Sequence, residues 1–255
     1  MSRPAIVTGG GAGIGAGIAR RLAADGARVL VADIDMDAAT RTAEAICADG
    51  FLAAPWAMDV TDEGSVEAAI VEAERRFGRL RIAICNAGIT DRVAVLDMSL
   101  AAFQRVIQTN LIGCFLTARA AGRAMARTPL PGGRIVTVSS VSGQFGGTGR
   151  AAYGASKGGI EMLTRVLAVE LAPLNILVNG VAPGPTQVAR TAHGPRQRDA
   201  FLNRMALKRY GMPEDVAAAV AFLCGEDNGF IVGHILNVDG GFASSGVMYD
   251  PAEGA

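Results

Sequence analysis

Short apolar runs alternate with segments of helical periodicity along the whole chain, and this alternation constrains the fold more than any single residue. The runs read as strands at 4–8, 28–33, 52–58, 81–85, 134–139, 176–182 and 233–238. Most are almost continuously apolar, as in Val29-Leu30-Val31-Ala32. A parallel strand covered by helices on both faces of its sheet requires this pattern. Helical spacing predicts helices at about 14–25, 36–48, 63–77, 99–127, 151–172 and 213–224. Gly26, Gly50, Gly78 and Gly225 stand where a helix end favours glycine. Pro213 with Glu214 and Asp215 marks a helix start, with proline in the first turn and acids at the positive end. Strict alternation predicts an α/β fold, a doubly wound seven-stranded parallel sheet with helices on both faces. In such a sheet the ligand site lies at the carboxyl ends of the strands, where strand order reverses, between strands one and four.

The first strand runs into Thr8-Gly9-Gly10-Gly11-Ala12-Gly13-Ile14-Gly15 and then into a helix whose Ile14, Ile18 and Leu22 share one face. Glycines let the backbone turn tightly and let a phosphate approach bare amides at a helix N-terminus. A glycine-rich loop alone is a weak signal; its strand-turn-helix setting makes it a dinucleotide-binding candidate. Thr8, Gly9, Gly11, Gly13, Ile14 and Gly15 are its expected contacts. Asp33 ends the second strand, where a carboxylate accepts hydrogen bonds from the adenosine ribose and repels a 2′-phosphate. Neither Ala12 in the loop nor Ile34 beside Asp33 offers a cation to such a phosphate. The expected cofactor is therefore NAD. Asp33 could instead cap the following helix, but Asp35 is better placed for that.

Tyr153-Gly-Ala-Ser-Lys157 lies downstream of Ser140. On a helix, positions i and i+4 share a face, so an ammonium lies beside a phenol. A free tyrosine titrates near pH ~10, and a neighbouring cation stabilises its phenolate. With a hydroxyl such as Ser140 to hold a substrate oxygen, this set can move a proton on or off an alcohol or carbonyl. Each residue alone reads more naturally as structural; their joint spacing downstream of a dinucleotide loop favours catalysis.

The 255 residues, half of them apolar, suffice for one core, and no boundary, repeat or low-complexity run divides 1–255. The exception is the polar stretch 185–210 after the sixth strand, with Arg190, Arg196, Arg198 and Arg204. It reads as a lid over the substrate, with an ordinary surface excursion as the alternative. A net charge of zero without a basic tract argues against nucleic acid and membrane surfaces as partners. Cys47, Cys85, Cys114 and Cys224 lack metal-like spacing and read as reduced thiols in a cytoplasmic protein, with no metal site expected.

Taken together, these residues resemble the short-chain dehydrogenase/reductase family over nearly the whole chain. The resemblance rests on Thr8-Gly9-x-x-x-Gly13-x-Gly15, Asp59, Asn86-Ala87-Gly88, Asn110, Ser140, Tyr153-x-x-x-Lys157 and Pro183-Gly184, in order. It implies a Rossmann-like sheet and hydride transfer between a nicotinamide and a secondary alcohol or ketone. Catalysis would fall to Asn110, Ser140, Tyr153 and Lys157. Asp59, with Val60, would meet the adenine, and Asn86 would hold the central sheet beside Ala87 and Gly88. Asn110 would keep a helix kink and a relay water. Val181, Pro183 and Gly184 would line the nicotinamide, and Thr186 would contact its carboxamide or the pyrophosphate. Tyr153 and Lys157 would also touch the cofactor. The resemblance further implies a homotetramer, or a homodimer, paired through helices 99–127 and 151–172. Cys85 stands where the family often has a second asparagine.

Candidate substrate contacts are Ser140, Ser142, Gln144, Tyr153, Gly184 and His193, with Arg150 as a further polar anchor. The expected substrate is a small polyol, sugar, hydroxy acid or 3-oxoacyl thioester. The alternatives are a non-catalytic NAD-sensing module, which has no use for an intact Ser140, Tyr153 and Lys157, and a methyltransferase, which needs no Tyr-Lys pair.

Overall fold

The computed structural model describes residues 3–127, 132–189, 193–246 and 248. Seven strands form one parallel sheet: β1 (Arg3–Thr8), β2 (Ala27–Asp33), β3 (Ala53–Ala57), β4 (Ile82–Cys85), β5 (Gly133–Val138), β6 (Ile176–Pro183) and β7 (Ile235–Val238). Their order is β3-β2-β1-β4-β5-β6-β7. Every neighbouring pair runs parallel. Strand order therefore reverses between β1 and β4, as the alternation predicts.

The apolar runs split by the two-residue period of a strand. Ala5, Val7, Val29, Val31, Ile82, Ile84, Val136 and Val138 face one layer; Ile6, Leu30, Ala32, Ala83, Cys85 and Ile135 face the other. The first layer is closed by helices α1 (Gly13–Ala24) and α2 (Met36–Ala48), through Ile18, Leu22 and Ile46. Helix α3 (Glu63–Phe77) closes the second through Val66 and Ile70. A fully buried side chain of this size contributes about 1.5–3 kcal/mol, so a one-residue slip of any central strand would be severely penalised.

The expected helix over 99–127 is three pieces: α4 (Leu100–Ile107), a π-helical turn (Gln108–Ile112) and α5 (Gly113–Ala126). The Ser99 hydroxyl caps its start by accepting the Ala102 N–H at 3.2 Å. Helix α6 (Ala151–Leu171) carries Tyr153 and Lys157. The stretch expected to be irregular contains α7 (Pro195–Arg204); residues 190–192 of that stretch lie outside the described residues. Helix α8 (Pro213–Cys224) begins at the expected proline and closes the first layer through Val216 and Val220.

Two strands are shorter than their apolar runs. β7 cannot begin at residue 233, because Gly233 has φ +72°, outside the extended region. β3 holds Pro55, which its edge position tolerates. Among the described residues no helix is long and apolar enough to cross a membrane.

Candidate active site

The two strands at the reversal point are stitched together by side chains. Thr8 Oγ1 donates to the Ile84 carbonyl at 3.2 Å and accepts the N–H groups of Asn86 and Ala87 at 3.0 and 3.1 Å. The Asn86 amide donates to the carbonyls of Thr8 and Gly9 at 2.9 and 3.1 Å. Thr8 and Gly9 thus hold the loop from behind and do not line the cavity in front of it. The loop is tight enough that a Cβ on Gly15 would fall 2.0 Å from the Gly9 carbonyl oxygen. Gly13 has φ +55°, a conformation that favours glycine.

Ala12, Gly13, Ile14 and Gly15 form one wall of a cavity of about 330 Å³. Ala12 caps α1 without a side-chain hydrogen bond, and the first turn holds no acid. The positive end of α1 therefore opens into the cavity with its N–H groups unclaimed by capping side chains, which fits the pyrophosphate of a dinucleotide.

Asp33 stands at the carboxyl end of β2. Its Oδ2 accepts the Gly11 N–H at 2.9 Å and its Oδ1 the Asp35 N–H at 3.1 Å. The carboxylate is thereby fixed beside the glycine loop and retains lone pairs for a ribose. Asp35 caps α2, accepting the Ala38 N–H at 3.0 Å. Ile34 is exposed next to it. Asp59 Oδ1 accepts both the N–H and the hydroxyl of Thr61 at 2.8 Å. Val60 is buried against Gly113, where an added Cβ would approach its Cγ2 to 2.7 Å; its side chain belongs to the core.

The opposite wall carries Ser140, Tyr153 and Lys157. Lys157 is buried, and its Nζ donates to the Val138 carbonyl at 2.7 Å, leaving two N–H groups for other acceptors. The same Nζ lies 5.6 Å from the centre of the Tyr153 ring. Ser140 Oγ accepts the Ser142 N–H at 3.2 Å. Gly88 packs closely on the buried amide of Asn110, since a Cβ there would stand 3.1 Å from its Oδ1.

Asn110 is fully buried inside the π-helical turn. Its Oδ1 accepts the Ile89 N–H at 2.8 Å, and its Nδ2 donates to the Ile89 carbonyl and Ser156 Oγ, each at 3.0 Å. Its side chain braces the kinked helix against the β4 loop and α6 and does not reach the cavity wall.

Pro183, Gly184 and Thr186 line the cavity at the end of β6. Thr186 Oγ1 donates to the Gly184 carbonyl at 3.0 Å. Val181 does not join them; it is completely buried between the sheet and its first helical layer, because strand alternation turns it to the core. Gln144 also departs from expectation. Its amide is engaged by Glu161 and Asn237, each at 2.9 Å, and it is absent from the cavity wall. Ser142 and His193 do line the cavity. The His193 ring stacks on Phe201 at 5.0 Å, and its Nδ1 shares a 2.7 Å hydrogen bond with the Tyr210 hydroxyl. Partial burial, and then the cations Arg92, Arg150 and Arg198, push its pKa below the usual histidine value.

Val188 and Phe201 complete the wall and were not singled out from the sequence. Phe201 is the one aromatic residue of the polar helix α7, and that isolation is the signal that could have marked it.

Residues 9–243 match the family described as Enoyl-(Acyl carrier protein) reductase. The chain is 40% identical to the cis-4-hydroxycyclohexanecarboxylate dehydrogenase of Sinomonas cyclohexanicum, over 95% of this chain and 97% of that protein. It is 37% identical to the 3-oxoacyl-[acyl-carrier-protein] reductase MabA of Mycobacterium tuberculosis, over 94% of this chain and 93% of that one. Among solved structures, a short-chain type dehydrogenase/reductase from Mycobacterium marinum superposes with a TM-score of 0.91 at 36% identity, covering 95% of this chain and 96% of its own.

Proposed function

The chain belongs to the short-chain dehydrogenase/reductase family and is an oxidoreductase acting on alcohols or ketones; from that premise we propose that it uses NAD and a small secondary alcohol or ketone, with Ser140, Tyr153 and Lys157 as its proton-handling residues. The observation that carries this reading is the convergence of those three side chains on the cavity that also receives the uncapped N-terminus of α1. Bound nicotinamide supplies the hydride acceptor for oxidation and the donor for reduction.

The remaining chemistry belongs to this chain. Ser140 Oγ, already fixed by the Ser142 N–H, donates its proton to the substrate oxygen and orients it. Tyr153 removes the hydroxyl proton during oxidation and returns it during reduction. Lys157, anchored on the Val138 carbonyl, stabilises the phenolate and offers its free N–H groups to the nicotinamide ribose. Asn110 acts from behind by holding the kinked helix and, through Ser156, the first part of α6. Asp33 favours NAD, because a 2′-phosphate would face a carboxylate, and neither Ala12 nor Ile34 supplies a cation to it.

A sensor module would have no use for this proton-handling set. We place the enzyme in the cytoplasm, in keeping with four free cysteines, three of them buried. We infer a homotetramer, or a homodimer, paired through α4, α5 and α6; exposed Phe115, Met162, Val166 and Val169 on two of these helices support that reading.

The direct test mixes the protein with NAD and a panel of secondary alcohols, polyols and hydroxy acids, including 4-hydroxycyclohexanecarboxylate. NADH absorbance is followed, and the best case is repeated with NADP. Turnover with NAD at many times the NADP rate is expected. Turnover preferring NADP would overturn the cofactor reading, and tight NAD binding without turnover across the panel would favour the sensor.

A further inference from the structure

Arg150 is a charged residue of the cavity wall that the proton chemistry leaves unused. It stands at the N-cap of α6, just ahead of Tyr153, and its guanidinium carbon lies 5.2 Å from the centre of the Tyr153 ring. Among the described residues its hydrogen-bond acceptor is the Thr90 hydroxyl; no carboxylate forms an ion pair with it. Arg92 lines the same cavity and donates to Gln197 at 3.2 Å. The described wall contains these two guanidiniums and the Lys157 ammonium, and no Asp or Glu.

A half-buried guanidinium with five donors and one neutral acceptor is poorly compensated for the water it has lost. Burial lowers its pKa from the ordinary value, with Arg92 adding to the effect, yet it stays charged at any working pH. The group that complements it is an oxyanion with two acceptors, which a guanidinium grips through paired N–H bonds. The positive end of α1 is the part of the wall suited to a pyrophosphate, so a second anion would be met by the guanidinium beside the Tyr153 phenol.

We propose that Arg150, seconded by Arg92, anchors an oxyanion of the substrate, so that the preferred substrate is a compact organic anion with a short carbon spacer between its carboxylate or sulfonate and its secondary hydroxyl or ketone. This rests on the oxidoreductase reading above and deepens it. Gripping the anion beside Tyr153 fixes the distance from the charged end to the reacting oxygen. The arginine thereby selects among alcohols without taking part in proton transfer.

The test compares 3-hydroxybutyrate and 4-hydroxypentanoate with their methyl esters, and with 2-hydroxypropanesulfonate, using the intact protein and NAD. Calorimetric titration of the same compounds into the NADH-saturated protein is run in parallel. The acids are expected to exceed their esters in kcat/KM by roughly ten- to hundredfold, the scale of one charge-assisted contact. The sulfonate separates a general oxyanion site from one specific for carboxylate. Arg150→Met is expected to raise KM for the acids by a similar factor, with a much smaller change in kcat, and to erase the acid–ester difference. Arg150→Lys should restore part of it. Esters and acids turned over alike would overturn the anion site and leave the oxidoreductase reading intact. Selective binding of the acids without turnover would do the reverse. A rise in KM for NAD rather than for the acids in Arg150→Met would assign the arginine to the cofactor and also overturn the inference.

Discussion

At the scale of single residues, the site depends on side chains with a narrow choice of partners. Tyr153 carries a titratable hydroxyl into the cavity beside an ammonium that is itself tethered to a backbone carbonyl. Tyr153→Phe removes the transferable proton and little volume, so kcat should fall by at least ~10²-fold while NADH binding, followed by fluorescence, stays near that of the wild type. Substantial turnover in that variant would dismiss Tyr153 as the acid–base residue. Asp33 clamps the Gly11 N–H, and in the proposed cofactor reading its carboxylate also repels a 2′-phosphate. Asp33→Arg should therefore move the NADP-to-NAD ratio of kcat/KM upward by an order of magnitude or more, with some loss in absolute rate from a loosened loop. An unchanged ratio would contradict the ribose assignment.

At the scale of elements, the interrupted helix over 100–126 shows how one buried amide organises the neighbourhood. The π-helical turn places Asn110 so that one side chain serves the Ile89 N–H, the Ile89 carbonyl and the Ser156 hydroxyl. Asn110→Ala strands these groups out of water, at a cost of about 1–3 kcal/mol. Urea unfolding should register that loss, and kcat should fall with it, because α6 carries Tyr153 and Lys157. Wild-type stability in the variant would mean that the kink holds without the amide. The helix was legible as an apolar periodic stretch, whereas its break was not. No Pro marks it, and the signal came only from resemblance at Asn110.

At the scale of the molecule, exposed ion pairs contribute little as a rule, and Glu72 is a carboxylate held well below its ordinary range. Glu72 on α3 accepts bonds from Arg75 at 2.7 Å and from Arg76 as well. These hydrogen bonds hold its pKa down to about 2. A folded-state value below the unfolded one stabilises the protein above the ordinary glutamate range, about 4.3. That contribution disappears as pH falls toward 2. Glu72→Gln should melt at a modestly lower temperature than wild type at neutral pH, and the gap should close as the pH is lowered below about 4. A gap that stays constant through that range would show that the charge plays no part.

What the sequence determined by itself is local or periodic. Runs such as Val29–Ala32 carry their own two-sided burial, the glycines from Gly9 to Gly15 need their own backbone geometry, and Tyr153 and Lys157 are brought together by one helical turn. These features require no knowledge of distant chain, so the sheet, the reversal point and the neighbouring placement of Tyr153 and Lys157 could be read directly. Only tertiary structure decided where side chains from separate elements aim. It turned Gln144 away to Glu161 and Asn237, buried Val181 and Val60 in the core, and made Thr8 a stitch between β1 and β4. It also set Arg150 and Arg92 on one wall, where the described lining residues include no Asp or Glu. Such directions follow from packing across strands and helices far apart in the chain, which neither spacing nor composition encodes.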